Sequence, residues 1–154
     1  AHIAQNEEQR LIMWERREAA AEISLLKTPL INNDIAVPLD KVSKFLTAME
    51  KKLPELDPDA DVLIVSHLGD GNVHYTVWPS KDDDNHKDKI MEEIENVVLT
   101  LGGSFSAEHG IGLSKLSSME RRKDRVSLNV MRQIKNAIDP EGIMNPGKVL
   151  PKAN

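Results

Sequence analysis

The spacing of apolar residues changes period several times along the chain, and each change marks an element. From Glu7 to about Leu26, Leu11, Met13, Trp14, Ile23, Leu25 and Leu26 recur at helical spacing without proline or glycine, which predicts an amphipathic helix. Thr28-Pro29 ends that pattern, and Asp34-Ile35-Ala36-Val37-Pro38 reads as a short strand closed by proline. Pro38 suits the first turn of a helix running from Leu39 to about Leu53, with Val42, Phe45, Leu46 and Met49 on one face and a linker from Pro54 to Pro58 behind it. Val62-Leu63-Ile64-Val65 is a continuous apolar run, the pattern of a strand buried on both faces. A return strand from Val73 to Trp78, a polar loop holding a solvated His86, and a helix from Ile90 to Leu101 stopping at Gly102-Gly103 follow. Ser104-Phe105-Ser106 is a short extended piece, Val126 to Ile138 is a last helix, and a Gly/Pro-rich tail runs from Gly142 to Pro151.

Taken in order, residues 34 to 107 give strand, helix, two strands joined by a tight turn, helix and strand. That order predicts an α+β fold, a ferredoxin-like split βαβ antiparallel sheet with flanking helices, and one domain over residues 1–154.

The hairpin carries the first chemistry. In His67-Leu68-Gly69-Asp70-Gly71-Asn72-Val73-His74, Asp-Gly between apolar runs is a strong signal for a two-residue type I′ turn. Such a turn sets His67 directly opposite His74, with Cβ atoms roughly 4.5–5.5 Å apart, near enough for both imidazoles to hold one metal ion. Upstream, Trp14 and Arg17 are three residues apart and share a helix face, so that the indole packs while the guanidinium is free to grip a carboxylate.

Composition narrows the chemistry. There are no cysteines, so any metal is held by His, Asp or Glu, and disulfides and thiol nucleophiles are excluded. Twenty Lys and Arg against 25 Asp and Glu give a net charge of −5 without a long basic run, and aromatics are only 3%. Both argue against nucleic-acid binding. No apolar stretch approaches the roughly 20 residues of a membrane span and no signal pattern opens the chain, so a cytoplasmic setting is expected.

Glu108-His109, followed by glycines at 110 and 112, is the second unusual cluster. Two imidazoles and a carboxylate form a common catalytic metal set with open positions, and His67, His74 and Glu108 fill it. His109 is then a neutral imidazole beside the cation, suited to take a proton from an alcohol. In an ideal split βαβ sheet the last strand runs away from the hairpin, so bringing Glu108 to the histidines requires a very short last strand or a bend after Gly102-Gly103.

Five ordered blocks resemble the C-terminal domain of FAD-linked oxidases of the vanillyl-alcohol-oxidase type, and within them the group that oxidises D-lactate, D-2-hydroxyglutarate and glycolate. They are Trp14-x-x-Arg17, Asp34-Ile-Ala-Val-Pro38, the hairpin from His67 to His74, Gly102 to Gly112 with Lys115, and Asp139-Pro-Glu-Gly-Ile-Met-Asn-Pro-Gly-Lys148. The resemblance implies that His67, His74 and Glu108 hold a divalent metal (zinc, manganese or iron), that His109 is the base, that Arg17 binds the substrate carboxylate, and that Asn145 lies towards the flavin. It also implies hydride transfer to FAD bound by an N-terminal domain or subunit, and an external electron acceptor such as a quinone, a cytochrome or an electron-transfer protein. Oligomeric state, a homodimer included, is left open.

Two departures tilt the expected substrate from a dicarboxylate to a small D-2-hydroxyacid such as lactate. Asn32 stands where the 2-hydroxyglutarate enzymes carry a lysine, and Thr76 stands where an asparagine is usual. Nothing in the 154 residues resembles a flavin-binding half, so the chain alone is expected to bind metal and turn over nothing. Rival readings are a stand-alone hydrolase using a metal-bound water on the same ligands, and a non-catalytic ferredoxin-like module that binds a partner.

Overall fold

The computed structural model describes residues 2–152. Helix α1 (Glu7–Ser24) is capped by Asn6, whose side chain accepts from the Gln9 N–H. Strand β1 (Ile31–Ala36) leads through a 3₁₀ turn (Leu39–Lys41) into α2 (Val42–Leu56), and strands β2 (Asp61–His67) and β3 (Asn72–Trp78) form the hairpin. Helices α3 (Asp84–Thr100), α4 (Leu116–Arg122) and α5 (Arg125–Ile138) follow. The fold is α+β.

The three strands form one antiparallel sheet in the order β1-β3-β2. Where the sequence predicts a fourth strand at Ser104 to Ser106, the chain makes a single bridge, Ala36 to Ser104, and then turns away. Gly103 permits that contact, since a Cβ there would lie 2.3 Å from the Ala36 carbonyl oxygen.

One face of the sheet is covered by α2 and α3. Ile31, Ile35, Val73, Tyr75 and Val77 point into a core with Phe45, Met49, Leu53, Ile90, Ile94 and Val98, and Phe45 meets the Tyr75 ring edge-on at 5.5 Å. The opposite face carries Asn32, Asp34, Asn72, His74, Thr76 and His67, as the two-residue alternation of strands requires.

Several sequence expectations need correcting. β2 is an edge strand and is not buried on both faces: Val62 and Ile64 are 37% and 45% exposed. Helix α2 runs on to Leu56 and absorbs Pro54 in its last turn, so the expected linker is shorter. α4 leaves no period in the sequence because its seven residues hold too few apolar positions. It is held to α3 by the buried Glu95, which accepts from Ser118 Oγ and from Nε of Arg122 at 2.8 Å. Trp14 is 54% exposed and does not pack; its neighbours Leu11, Ile12 and Met13 are exposed too. The packed indole is Trp78, whose Nε1 donates to the Ser24 carbonyl at 3.3 Å while Lys27 sits 5.0 Å over the ring.

His86 is not a solvated loop residue. Asp83 caps α3, and in the first turn of that helix His86 Nε2 lies 2.8 Å from Oδ2 of the buried Asp57. The Ser80 N–H donates to the same oxygen at 2.8 Å. Burial alone would raise the Asp57 carboxyl, but the bonds from His86, Ser80 and Asp59 outweigh it and bring it down to about 2. Because the folded value is depressed, the stabilisation is complete above the ordinary carboxylate range and fades as pH falls from about 4 through about 2. Asp57→Asn is therefore expected to lose about 2 kcal/mol in urea unfolding at neutral pH, and the gap from the parent protein should close near pH 2. An equal gap at both pH values would show that the ionised form is not what stabilises the fold.

Candidate metal and substrate site

Register decides how the two histidines meet. His67 pairs with Asn72, and His74 pairs with Val65, so four residues, 68 to 71, form the loop in place of a two-residue type I′ turn. Asp70 does not adopt positive φ; Gly71 alone in the loop does, at +77°. The Asp70 carboxylate instead accepts the Asn72 N–H at 3.0 Å. Gly71 is also wedged against the β1–α2 junction, where a Cβ would lie 2.1 Å from the Val37 carbonyl oxygen. A shift of two residues preserves facing, so His67 and His74 are diagonal neighbours on one face, with ring centroids 5.4 Å apart at 83°.

The loop after Ser106 resolves the distance problem that an ideal last strand would pose. It brings Glu108 Oε1 to 2.8 Å from His74 Nε2 and 3.7 Å from His67 Nε2. His109 stacks on His74, the rings 5.0 Å apart and 18° from parallel. Arg17 reaches over from α1, with one guanidinium nitrogen 3.3 Å from His67 Nδ1. A hollow of about 320 Å³ opens among Arg17, Asn32, His67, His74, Thr76 and His109. Five of the six predicted residues thus converge. Asn145 does not; it lies in the tail, at φ +48°, beside a separate hollow formed with α5.

Under this site lies a further functional residue, one that no spacing in the sequence singles out. Asp34 is fully buried on β1. Its Oδ2 accepts the backbone N–H groups of Ala107, Glu108 and His109 at 3.2, 2.9 and 2.7 Å, and Lys115 Nζ lies 3.3 Å away. Its Oδ1 accepts from Asn72 Nδ2 at 2.9 Å. Burial opposes its ionisation, but the donors from His109, Asn72 and Glu108 and the charge of Lys115 prevail and hold the carboxyl well below its usual value. The available signal was a carboxylate among Ile31, Ile35 and Val37, a costly neighbour for apolar residues unless fully bonded.

The donor set fits a divalent cation. Asp34, His74, Glu108 and His109 each offer an atom within 4.8 Å of the others, and His67 adjoins Glu108. Ligands each about 2.0–2.2 Å from one ion stand at separations of this order. The two groupings share His74 and Glu108, and the Asp34 oxygens are already engaged by N–H donors. Asn72 Oδ1, next to Asp34, is a buried acceptor without a hydrogen-bond partner, as expected beside a site completed by water or an ion.

Comparison with known proteins shows the family. Residues 1–149 match the family model described as FAD linked oxidases, C-terminal domain. A D-2-hydroxyglutarate dehydrogenase of Stutzerimonas stutzeri is 34% identical over 154 residues, covering 96% of this chain and 32% of the relative. The glycolate oxidase subunit GlcD of Bacillus subtilis is 31% identical, covering 97% and 32%. A putative mitochondrial D-lactate dehydrogenase of Schizosaccharomyces pombe is 32% identical, covering 95% and 30%. The chain spans about a third of the length of these curated relatives. No helix among the described residues is long and apolar enough to cross a membrane. With a family match over nearly its whole length and relatives among the 2-hydroxyacid oxidoreductases, the chain belongs to the C-terminal domain family of FAD-linked oxidases.

Proposed function

We propose that residues 1–154 form the single metal- and substrate-binding domain of an FAD-dependent dehydrogenase that oxidises a small D-2-hydroxyacid to the 2-oxoacid. The observation that carries this reading is the meeting of Arg17, His67, His74 and His109 around one hollow, with Glu108 against His74, from three parts of the chain far apart in sequence. A divalent cation (zinc, manganese or iron by its donors) would be held by His67, His74 and Glu108 and would stabilise negative charge on a substrate oxygen. FAD, bound by the remainder of a longer protein or by a partner subunit, supplies the acceptor for the hydride from C2.

This chain's residues do the rest. The Arg17 guanidinium grips the substrate carboxylate and so orients C2. His109, lining the hollow, takes the hydroxyl proton; loss of that proton and of the C2 hydride leaves the ketone. Arg17 is the one Lys or Arg among the described residues lining the hollow; Asn32 and Thr76 are uncharged and Glu18 is acidic. A second substrate carboxylate would find no second lysine or arginine in that lining, which supports a lactate-like monocarboxylate although several relatives are named for 2-hydroxyglutarate.

An unpartnered apolar stripe on α5, formed by Val126, Val130, Ile134 and Ile138, and the exposed Leu11, Ile12 and Trp14 on α1 support contact with a flavin-binding domain. Asn145, next to the α5 stripe, is the proposed flavin-side residue. Electrons then pass to an acceptor outside this chain. A cytoplasmic location is proposed for the protein, although some relatives are named as mitochondrial.

Two measurements test this reading in the full-length flavoprotein. After chelator treatment, Mn²⁺ titration should show His74→Ala and Glu108→Gln each binding about 10- to 100-fold more weakly; unchanged affinity in both would remove the metal from this site. In steady-state kinetics, His109→Gln should lose roughly 10²–10⁴ in kcat and Arg17→Ala should mainly raise KM for D-lactate. Asn32→Lys should shift relative kcat/KM towards D-2-hydroxyglutarate by about tenfold or more, the worth of one added ion pair of roughly 1.4 kcal/mol. A parent enzyme that prefers the dicarboxylate would overturn the substrate assignment.

A further inference from the structure

Glu108 and His109 lie in neither a helix nor a strand, so no ladder of backbone bonds fixes them. Their path is set by one carboxylate. Three consecutive backbone N–H groups, 107 to 109, point at Asp34 Oδ2, and the Ala107 N–H also reaches the Asp34 carbonyl at 3.0 Å. Lys115 Nζ bridges Asp34 to Ser106 Oγ at 2.8 Å, and the Ser106 hydroxyl donates to the Gly110 carbonyl at 2.9 Å. The loop is closed at both ends around a charge that cannot reach water.

The same carboxylate also faces two imidazoles. Oδ1 is 3.9 Å from His74 Nδ1, and Oδ2 is 4.0 Å from His109 Nδ1. At these separations the effect is an electrostatic bias and not a hydrogen bond. The His74 ring therefore stands between two carboxylates, Asp34 on its Nδ1 side and Glu108 at 2.8 Å on its Nε2 side, which fixes the direction of the ring.

We propose that Asp34 is a positioning residue for both halves of the reaction: it sets the Glu108 carboxylate for the cation and the His109 ring for the proton, while being neither a ligand nor the base. The inference rests on the reading of His67, His74 and Glu108 as the cation site. It separates two jobs that share a loop. Arg17, on α1, makes none of these contacts, so binding of the substrate carboxylate is independent of Asp34.

The test uses the full-length flavoprotein with Asp34→Asn, an isostere that keeps one acceptor oxygen but turns an NH₂ towards the loop amides. Mn²⁺ affinity of chelator-treated protein, circular dichroism, and D-lactate kinetics at saturating Mn²⁺ are measured, with His74→Ala and Glu108→Gln alongside. Expected are a native-like spectrum, an Mn²⁺ Kd raised tenfold or more, and kcat still down about a hundredfold at saturating Mn²⁺ with KM within about threefold. Unchanged Kd in a folded variant overturns the proposal, and so does full recovery of kcat at saturating Mn²⁺, which would make Asp34 matter only through metal affinity. If Asp34→Asn does not fold, Ser106→Ala decides: it loosens the same loop by removing the bonds to Lys115 and to the Gly110 carbonyl while leaving the Asp34 carboxylate in place, and a parental Kd and kcat there overturn the inference. Retained affinity in His74→Ala and Glu108→Gln would instead remove the cation site on which the inference stands.

Discussion

The alternation of strand β3 is the constraint on which the rest depends. It is the central strand, bonded on both sides, and its odd residues Val73, Tyr75 and Val77 are buried against α2 and α3. Packing of those three side chains fixes the direction of the even ones, Asn72, His74 and Thr76, with no freedom to slip, because a shift of one residue would carry the whole apolar set out of the core and the polar set into it. The site is therefore built on the reverse side of the core. Rigidity that belongs to hydrophobic burial on one face is lent to polar groups on the other, an economical way to hold imidazoles in a small domain.

The opposite tendency operates one strand away. A charged group on a residue with no solvent exposure would destabilise β1 if left bare, and the surrounding chain has organised itself to answer it with amides, a lysine and an asparagine. Glu95 repeats the pattern between α3 and α4, where two arginines and a serine converge on one buried carboxylate. In both places an irregular or short segment, too poor in apolar side chains to pack by itself, is attached to the body of the fold through a desolvated acid. Such attachments are directional, and that suits a segment whose orientation matters more than its burial.

Much of this was legible in the residues. The α+β class and most of the elements follow from periodicity and turn chemistry, and the residues that the fold brings together are those named by the motifs and by the family resemblance; α4 and the reduction of the fourth strand to one bridge leave no mark in the pattern. Where the structure departs from the pattern, the reasons are local. Val62 to Val65 look doubly buried, yet apolar content cannot distinguish a central strand from an edge strand whose neighbour is missing. Asp-Gly announced a two-residue turn, but the Asp70 carboxylate bonds the Asn72 amide and lengthens the loop while keeping the histidines on one face. His86 looked solvated because its partner, Asp57, is twenty-nine residues away and only the packing of α3 unites them. The contacts of Asp34 leave no local sign for the same reason: its partners lie 38 to 81 residues further on.

The two tryptophans occupy contrasting settings: Trp14 stands largely in solvent on α1, while Trp78 is half-buried at the seam between the sheet and the end of that helix, under a lysine. The chain accordingly carries two optical reporters of different character. Emission from Trp14 senses whatever comes to lie against the outer side of α1, and emission from Trp78 senses whether the helix that bears Arg17 stays seated on the sheet. With Trp14 replaced by phenylalanine, the remaining fluorescence becomes a direct gauge of that seating, readable without substrate, metal or flavin.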